Sequence, residues 1–218
     1  MATILITGAN RGIGLELSRQ LKARGDDVIA VCRKSSPELE ALGVRVEAGI
    51  EVSDEKSVAE LAKRLTGASI DVLVNNAGIL RGDSLDRVDF DAITQQLEVN
   101  ALGPLRVTTA LLPTLSEGAK VVIITSRMGS MADNGSGGYY GYRMSKAAVN
   151  AAGVSLAHDL KARGIAVGLL HPGMVATEMT GRNGIPADES VRGIIQRIDA
   201  LTLETTGRFT HATTGEAL

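Results

Sequence analysis

The chain has 218 residues, of which 44% are hydrophobic and 2% aromatic, so one domain with an aliphatic core is expected. The net charge is −2 with both signs interspersed, which argues against a nucleic-acid-binding or anionic membrane-binding surface. A single cysteine, Cys32, excludes an internal disulfide and, with 3 histidines, disfavours structural zinc. Because no segment approaches membrane-spanning length and the opening apolar run is too short for a signal peptide, we expect a cytosolic protein.

The N-terminus reads as a strand, a glycine turn and a helix. The apolar run Met1–Thr7 is followed by glycines with the spacing G-x-x-x-G-x-G, and leucines then recur at helical intervals up to Gly25. Such glycines permit a tight turn and let the backbone approach a phosphate, while the helix N-terminus offers free N–H groups to an anion. The pattern predicts a dinucleotide site that includes Gly8, Asn10, Arg11, Gly12, Ile13 and Gly14.

Further strands and helices alternate along the chain. The predicted strands are Val28–Val31, Val44–Ala48, Ile70–Val74, Lys120–Thr125, Ala166–Leu170 and a short one near Arg208–His211. The predicted helices span 12–24, 54–65, 88–115, 139–163 and 187–201. A brief helix is also predicted to begin at Pro37, and Ser53 is the predicted N-cap of the helix over 54–65. This alternation predicts an α/β fold, a doubly wound Rossmann domain over residues 1–218 with a central parallel sheet flanked by helices.

The end of the second strand bears on the choice of cofactor. An NAD-preferring domain places an acid there, on the ribose 2′-hydroxyl, whereas this strand ends Val31-Cys32-Arg33-Lys34. Arg33 and Arg11 could instead hold a 2′-phosphate, so we predict NADP(H) over NAD(H). The alternative is that Arg33 and Lys34 are solvated loop charges.

Several motifs fall just after predicted strands and should therefore share one edge of the sheet. They are Thr7-Gly8, Arg33, Asn75-Asn76-Ala77-Gly78, Ser126 and Pro172-Gly173. In doubly wound sheets, ligands bind beyond the carboxyl ends of the strands. These motifs are expected to form a single cleft.

Tyr142 and Lys146 lie one helical turn apart in the predicted helix 139–163, so both side chains should project into the same cleft. A fixed positive charge near a phenol favours phenolate, so we expect Lys146 to lower the pKa of Tyr142. Tyr139 and Tyr140 have no lysine four residues later. Chance spacing on an exposed helix face is the alternative.

Together these motifs resemble those of the short-chain dehydrogenase/reductase family, within its carbonyl-reductase branch of sniffer-type and C-factor-like proteins. The resemblance implies that Tyr142 is the catalytic acid/base and that Lys146 assists it and contacts the nicotinamide ribose. It implies that Ser126 polarises a substrate carbonyl and that Asn100 supports a proton relay behind the lysine. Ser130 lies closer to Tyr142 in number but farther past the strand end.

The same resemblance extends to the cofactor and the substrate pocket. It implies cofactor contacts from Asn76, Ala77, Gly78, Pro172, Gly173, Val175 and Thr177, in addition to Tyr142 and Lys146. The polar segment Glu178–Asp188 is expected to be a lid of about residues 178–188. The expected pocket wall is apolar and tolerant, with Met128, Tyr139, Tyr140, Met174 and Met179. We expect His171 to be a structural histidine whose ring nitrogens have hydrogen-bond partners, and we assign no role to His158 or His211.

The resemblance implies NADPH-dependent reduction of an aldehyde, ketone or quinone to an alcohol, in a homodimer or homotetramer. The alternative is a dinucleotide-binding signalling or redox-sensing protein with little turnover. A sensor can dispense with the catalytic serine, tyrosine and lysine, whereas this chain keeps all three.

Overall fold

The computed structural model describes residues 1–218, and its strands and helices alternate as the sequence pattern predicts. The strands are β1 (Thr3–Thr7), β2 (Asp27–Cys32), β3 (Arg45–Ala48), β4 (Ile70–Asn75), β5 (Leu115–Ile124), β6 (Ala166–His171) and β7 (Phe209–His211). The α-helices are α1 (Gly12–Arg24), α2 (Pro37–Glu40), α3 (Glu55–Arg64), α4 (Phe90–Leu97), α5 (Gly103–Leu111), α6 (Tyr140–Lys161) and α7 (Ala187–Ala200).

All seven strands form one parallel sheet in the order β3-β2-β1-β4-β5-β6-β7. A buried core lies on each face of it. One core includes Leu61 of α3, Leu111 of α5 and Val149 of α6, and the other includes Leu17 of α1 and Ile194 of α7. The doubly wound fold is therefore confirmed. The strand order reverses between β1 and β4, the place where such sheets open a ligand crevice.

The predicted helix over 88–115 is wrong as a single element. It is divided into α4, a π turn at Glu98–Leu102 and α5, and its last residue, Leu115, already begins β5. Pro104, in the first turn of α5, has no backbone N–H to donate to the preceding turn, which accounts for the break. Asn100 consequently lies in the middle of a widened turn rather than on a regular helix.

The structure shows the N-caps of α2 and α3, and the cap of α3 differs from the prediction. Ser36 caps α2, its hydroxyl accepting from the Leu39 N–H at 3.2 Å. The predicted cap Ser53 is wrong, because the carboxylate of Asp54 accepts from the N–H groups of Lys56 and Ser57 instead. Two oxygens let aspartate satisfy two of the free donors at once.

None of the helices combines the length and the apolar character that a membrane crossing requires.

Candidate active site

One cleft of about 1330 Å³ lies at the carboxyl edge of the sheet. Every motif that follows a strand in the sequence contributes to its wall, so the expected convergence occurs. The lining includes Gly8, Asn10, Arg11, Gly12, Ile13, Arg33, Asn76, Ala77, Gly78, Ser126, Tyr142, Lys146, Pro172, Gly173, Val175 and Thr177.

The glycine turn shapes the β1 end of this cleft. Gly8 and Gly12 have φ values of 67° and 54°, a left-handed conformation that residues with side chains rarely adopt. Gly14 also has a packing role that the sequence did not indicate. A Cβ at Gly14 would lie 2.3 Å from the Gly8 carbonyl oxygen and 2.6 Å from Asn76 Nδ2. Its missing side chain therefore lets α1 pack against the turn.

Asn76 holds this turn from the neighbouring strand. Its Nδ2 donates to the carbonyl oxygens of Thr7 at 3.0 Å and Gly8 at 3.2 Å. In return, the Thr7 hydroxyl accepts from the N–H groups of Asn76 and Ala77 at 3.0 and 3.1 Å. The loops after β1 and β4 are thus one hydrogen-bonded unit.

The two arginines expected to hold a 2′-phosphate both line the cleft, and each meets a carboxylate. Arg11 Nη1 lies 2.7 Å from Glu178, and Arg33 Nη1 lies 3.3 Å from Glu51. Both guanidinium side chains are more than half exposed, at 61% and 66%, so these pairs are weak. Cys32 is buried, and burial raises the pKa of its thiol, which fits a packing role.

Tyr142 and Lys146 lie together at the centre of the cleft, with Lys146 Nζ 5.7 Å from the centroid of the Tyr142 ring. Burial raises the pKa of Tyr142 to about 12, and a hydrogen bond with Ser126 offsets part of that rise. The net shift of the phenol pKa is therefore opposite to the lowering expected from Lys146, because loss of solvation dominates. The neutral phenol that results is the form that can donate a proton.

Burial also lowers the pKa of Lys146, to about 8. Its Nζ donates to the Ile124 carbonyl oxygen at 3.0 Å. Close contact fixes the lysine backbone as well, since a Cβ at Gly129 would lie 2.7 Å from the Lys146 carbonyl carbon.

The pKa of Lys146 predicts a pH dependence for the carbonyl reduction that the resemblance implies, with a rate that declines as the pH rises past about 8. A depressed pKa means that the ammonium charge is present below that pH and lost above it, while Tyr142 keeps its proton throughout. We expect kcat/KM to be level from about pH 6 to 7.5 and to fall about tenfold per pH unit well above 8. A pH profile at saturating NADPH measures this, and a rate that rises from pH 8 to 10 would contradict it.

Asn100 is buried behind the lysine rather than exposed, and it does not line the cleft. Its Oδ1 accepts from the Ile79 N–H at 2.8 Å, and its Nδ2 donates to the Ile79 carbonyl oxygen at 2.8 Å and to Ser145 Oγ at 3.0 Å. Between asparagine and lysine lies Gly78, where a Cβ would be 3.3 Å from Asn100 Oδ1 and 3.8 Å from Lys146 Nζ. Asn100 thus joins the loop after β4 to α6.

The segment after β6 covers the opposite side of the cleft. Val175 is buried and pairs with Ile185 across the base of the predicted lid. Thr177 approaches the glycine turn, its Cγ2 lying 3.4 Å from where a Gly12 Cβ would be. The Arg11–Glu178 ion pair joins the predicted lid segment to that turn.

The substrate end is more polar than the sequence suggested. Four of the five predicted wall residues line the cleft, but Tyr140 does not. Three arginines that the sequence analysis did not place there also line it, at positions 127, 143 and 182. An apolar wall is therefore only part of the description.

His171 and His211 correct two further expectations. Their rings pack edge to face with centroids 5.0 Å apart, and both line the cleft, so His211, to which the sequence assigned no role, belongs to the cleft wall. Burial lowers the pKa of His171 to about 4, so it is neutral at pH 7. Its Nδ1 is buried without a hydrogen-bond partner, so His171 is not the fully satisfied histidine expected.

A sequence profile describing the short chain dehydrogenase family matches residues 2–186. The chain belongs to the short-chain dehydrogenase family. It is therefore an oxidoreductase of that family, and the resemblance drawn from the motifs is confirmed.

Similarity to solved carbonyl reductases supports the carbonyl-reductase branch of the family. A 1-hydroxy-2-glutathionyl-2-methyl-3-butene dehydrogenase of Rhodococcus sp. (strain AD45) is 48% identical over 97% of each chain. The C-signal protein of Myxococcus xanthus is 50% identical over 64% of this chain and 87% of its own. The crystal structure of NADPH-bound carbonyl reductase from chicken fatty liver superposes with a TM-score of 0.90 at 30% identity, covering 100% of this chain and 98% of that one.

The roles of several residues that build the site of this short-chain dehydrogenase were not predicted from the sequence. The Thr7 hydroxyl fixes the loop after β4, and the buried Gln96 accepts from the Arg81 N–H at 2.8 Å. The Ser145 hydroxyl donates to the Tyr142 carbonyl oxygen at 2.8 Å. Thr7 belongs to the glycine motif itself, but nothing local indicates a partner 69 residues away.

Proposed function

We propose that this protein is an NADP(H)-dependent carbonyl reductase, which reduces an aldehyde, ketone or quinone to an alcohol with Tyr142 as the acid. The observation that carries the proposal is the convergence of Ser126, Tyr142 and Lys146 in the cleft that also holds the glycine turn. A proton donor, a hydroxyl that can orient a carbonyl, and a cation lie together beside a dinucleotide cradle. This is the set of groups that carbonyl reduction requires.

The cradle fits a dinucleotide. The left-handed glycines 8 and 12 expose main-chain atoms to the cleft at the start of α1, whose N-terminus favours phosphate. Asn76, Ala77, Gly78, Pro172, Gly173, Val175 and Thr177 would form the remaining contacts. When bound, the reduced nicotinamide supplies a hydride. The NADPH in the chicken carbonyl reductase supports the choice of cofactor.

The chain's own groups would orient and protonate the substrate. The Ser126 and Tyr142 hydroxyls would donate hydrogen bonds to the carbonyl oxygen, where negative charge develops as the carbon is reduced. Tyr142, held neutral by burial, would transfer its proton to that oxygen. The Lys146 ammonium would stabilise the phenolate that remains, in a site where loss of solvation strengthens the attraction.

The 2′-phosphate assignment predicts a selective effect of Arg33→Ala. Removing one charge-assisted contact is expected to raise KM for NADPH by about 10- to 100-fold and to leave KM for NADH nearly unchanged. Lys63→Ala, at an exposed lysine of α3 outside the cleft, is the control. Equal loss with both cofactors, or a lower KM for NADH than for NADPH in the unmodified protein, would contradict the assignment.

The experiment for the proposed function is NADPH oxidation with a panel of aldehydes, ketones and quinones. The Rhodococcus relative is named for an alcohol that carries a glutathionyl group, so a glutathione-thioether alcohol with NADP⁺ belongs in the panel. Turnover supports the reductase. Tight NADPH binding without turnover of any compound would instead favour a signalling or sensing protein, the alternative that similarity to the C-signal protein supports.

A further inference from the structure

We propose that Asp83 is the positioning residue that fixes the start of α6 and thereby the place of Tyr142. This inference rests on the proposed function of Tyr142. Asp83 lies in the loop between β4 and α4, far from α6 in sequence. Its backbone carbonyl accepts from the Tyr139 N–H at 3.0 Å. Its carboxylate accepts from the N–H of Tyr140 and, at 3.0 Å, from that of Gly141.

The helix has no cap of its own. Tyr139 occupies the N-cap position in a left-handed conformation with φ of 52°, and it makes no side-chain capping bond. The two preceding glycines, 137 and 138, are also left-handed. The nearby Ser136 hydroxyl is occupied, since it accepts from Arg143 at 2.9 Å. The first N–H groups of α6 therefore depend on an acceptor from elsewhere, and Asp83 supplies it.

An aspartate suits this place on two grounds. Its two oxygens accept from two successive N–H groups, and its negative charge complements the positive end of a long helix. The carboxylate is only partly buried and does not line the cleft. Asp83 is thus placed to act on Tyr142 through the backbone and not on the cofactor or the substrate.

The loop that presents Asp83 is itself firmly held. Ile79 exchanges two hydrogen bonds with Asn100, and the Arg81 N–H donates to Gln96. On its other side the first turn of α6 is pressed against α4, where a Cβ at Gly141 would lie 2.5 Å from Gln96 Nε2. The first turn of α6, which carries Tyr142, is therefore held in place by α4 on one side and by Asp83 on the other.

Loss of the hydrogen bonds from α6 to the Asp83 carboxylate should displace the Tyr142 hydroxyl without unfolding the domain. Because a displacement of about 1 Å at a reacting group costs about 100-fold in rate, we expect Asp83→Ala to lower kcat by about 10- to 100-fold. Asp83→Asn keeps one acceptor oxygen, so its kcat should lie between those of Asp83→Ala and the unmodified protein. Asp86→Asn, at an exposed residue of the same loop whose side chain forms no hydrogen bond or ion pair, should match the unmodified protein.

Three measurements test the proposal: steady-state kinetics, the deuterium isotope effect with NADPH labelled at the transferred position, and amide hydrogen exchange. In Asp83→Ala we expect a lower kcat, nearly unchanged KM for NADPH and a larger isotope effect, because chemistry becomes slower relative to product release. We also expect amides 140–146 to exchange about fivefold faster, as for the loss of a helix cap.

A kcat within twofold of the unmodified protein would overturn the proposal. A loss of rate that is fully explained by a smaller fraction of enzyme with bound cofactor, with an unchanged isotope effect, would also overturn it. That result would indicate a merely structural role for Asp83. If no carbonyl is turned over by the unmodified protein, the proposed function fails, and amide exchange still decides whether Asp83 holds α6. If Tyr142→Phe abolishes turnover and Asp83→Ala does not, only the present inference fails.

Discussion

Tyr142→Phe is expected to lower kcat for carbonyl reduction by about 10³- to 10⁴-fold, the upper range for loss of a general acid. The phenol is 8% exposed, so water has little access to replace it as the proton donor, and burial raises its pKa to about 12. Phenylalanine keeps the ring and removes only the hydroxyl. The domain should therefore fold normally and bind NADPH with near-unchanged affinity.

Tyr140→Phe is the matched control, because Tyr140 belongs to the same helix and lies outside the cleft. It should retain wild-type kcat. The measurement is steady-state NADPH oxidation beside a fluorescence titration of NADPH. Retention of more than about a tenth of the activity by Tyr142→Phe would mean that another group donates the proton.

Gly14→Ala is expected to destabilise the domain by about 3 kcal/mol and to weaken NADPH binding by about 100-fold. The new methyl would lie 2.3 Å from the Gly8 carbonyl oxygen and 2.6 Å from Asn76 Nδ2. Backbone cannot yield as a flexible side chain does, so the turn after β1 must move away from α1. That movement also breaks the hydrogen bonds by which Asn76 holds the turn.

Gly135→Ala is the control for the glycine substitution. Gly135 does not have a positive φ, and a Cβ there meets no atom within 4 Å. Thermal unfolding should show a Tm about 10 °C lower for Gly14→Ala and little change for Gly135→Ala. Equal Tm values and equal NADPH affinities for the two variants would contradict the packing role assigned to Gly14.

The sequence predicted the elements that local patterns encode. Local patterns located six of the seven strands to within two residues, whereas the predicted strand Lys120–Thr125 missed the first five residues of β5. The residues just after the strands, such as Ser126 and Pro172, line the cleft. This works because the carboxyl ends of parallel strands share an edge whatever the details of packing. The helical spacing of Tyr142 and Lys146 is equally local.

What the sequence could not supply depends on contacts distant along the chain. Asn76 donates a hydrogen bond to Thr7, 69 positions away, and Asp83 accepts one from Gly141, 58 positions away. The direction of the Tyr142 pKa shift was mistaken because proximity to a lysine is visible in sequence and the depth of burial is not. Pro104 indicates the break before α5, but the long apolar pattern around it favours a single helix.

The central claim, that Tyr142 and its neighbours serve carbonyl reduction, is tested most directly by a single-turnover reaction with NADPH deuterated at the transferred position. The account predicts one equivalent of alcohol with deuterium on the carbinol carbon, formed by the unmodified protein and not by Tyr142→Phe on the same timescale. Bound, unoxidised NADPH in the presence of every carbonyl offered would contradict it.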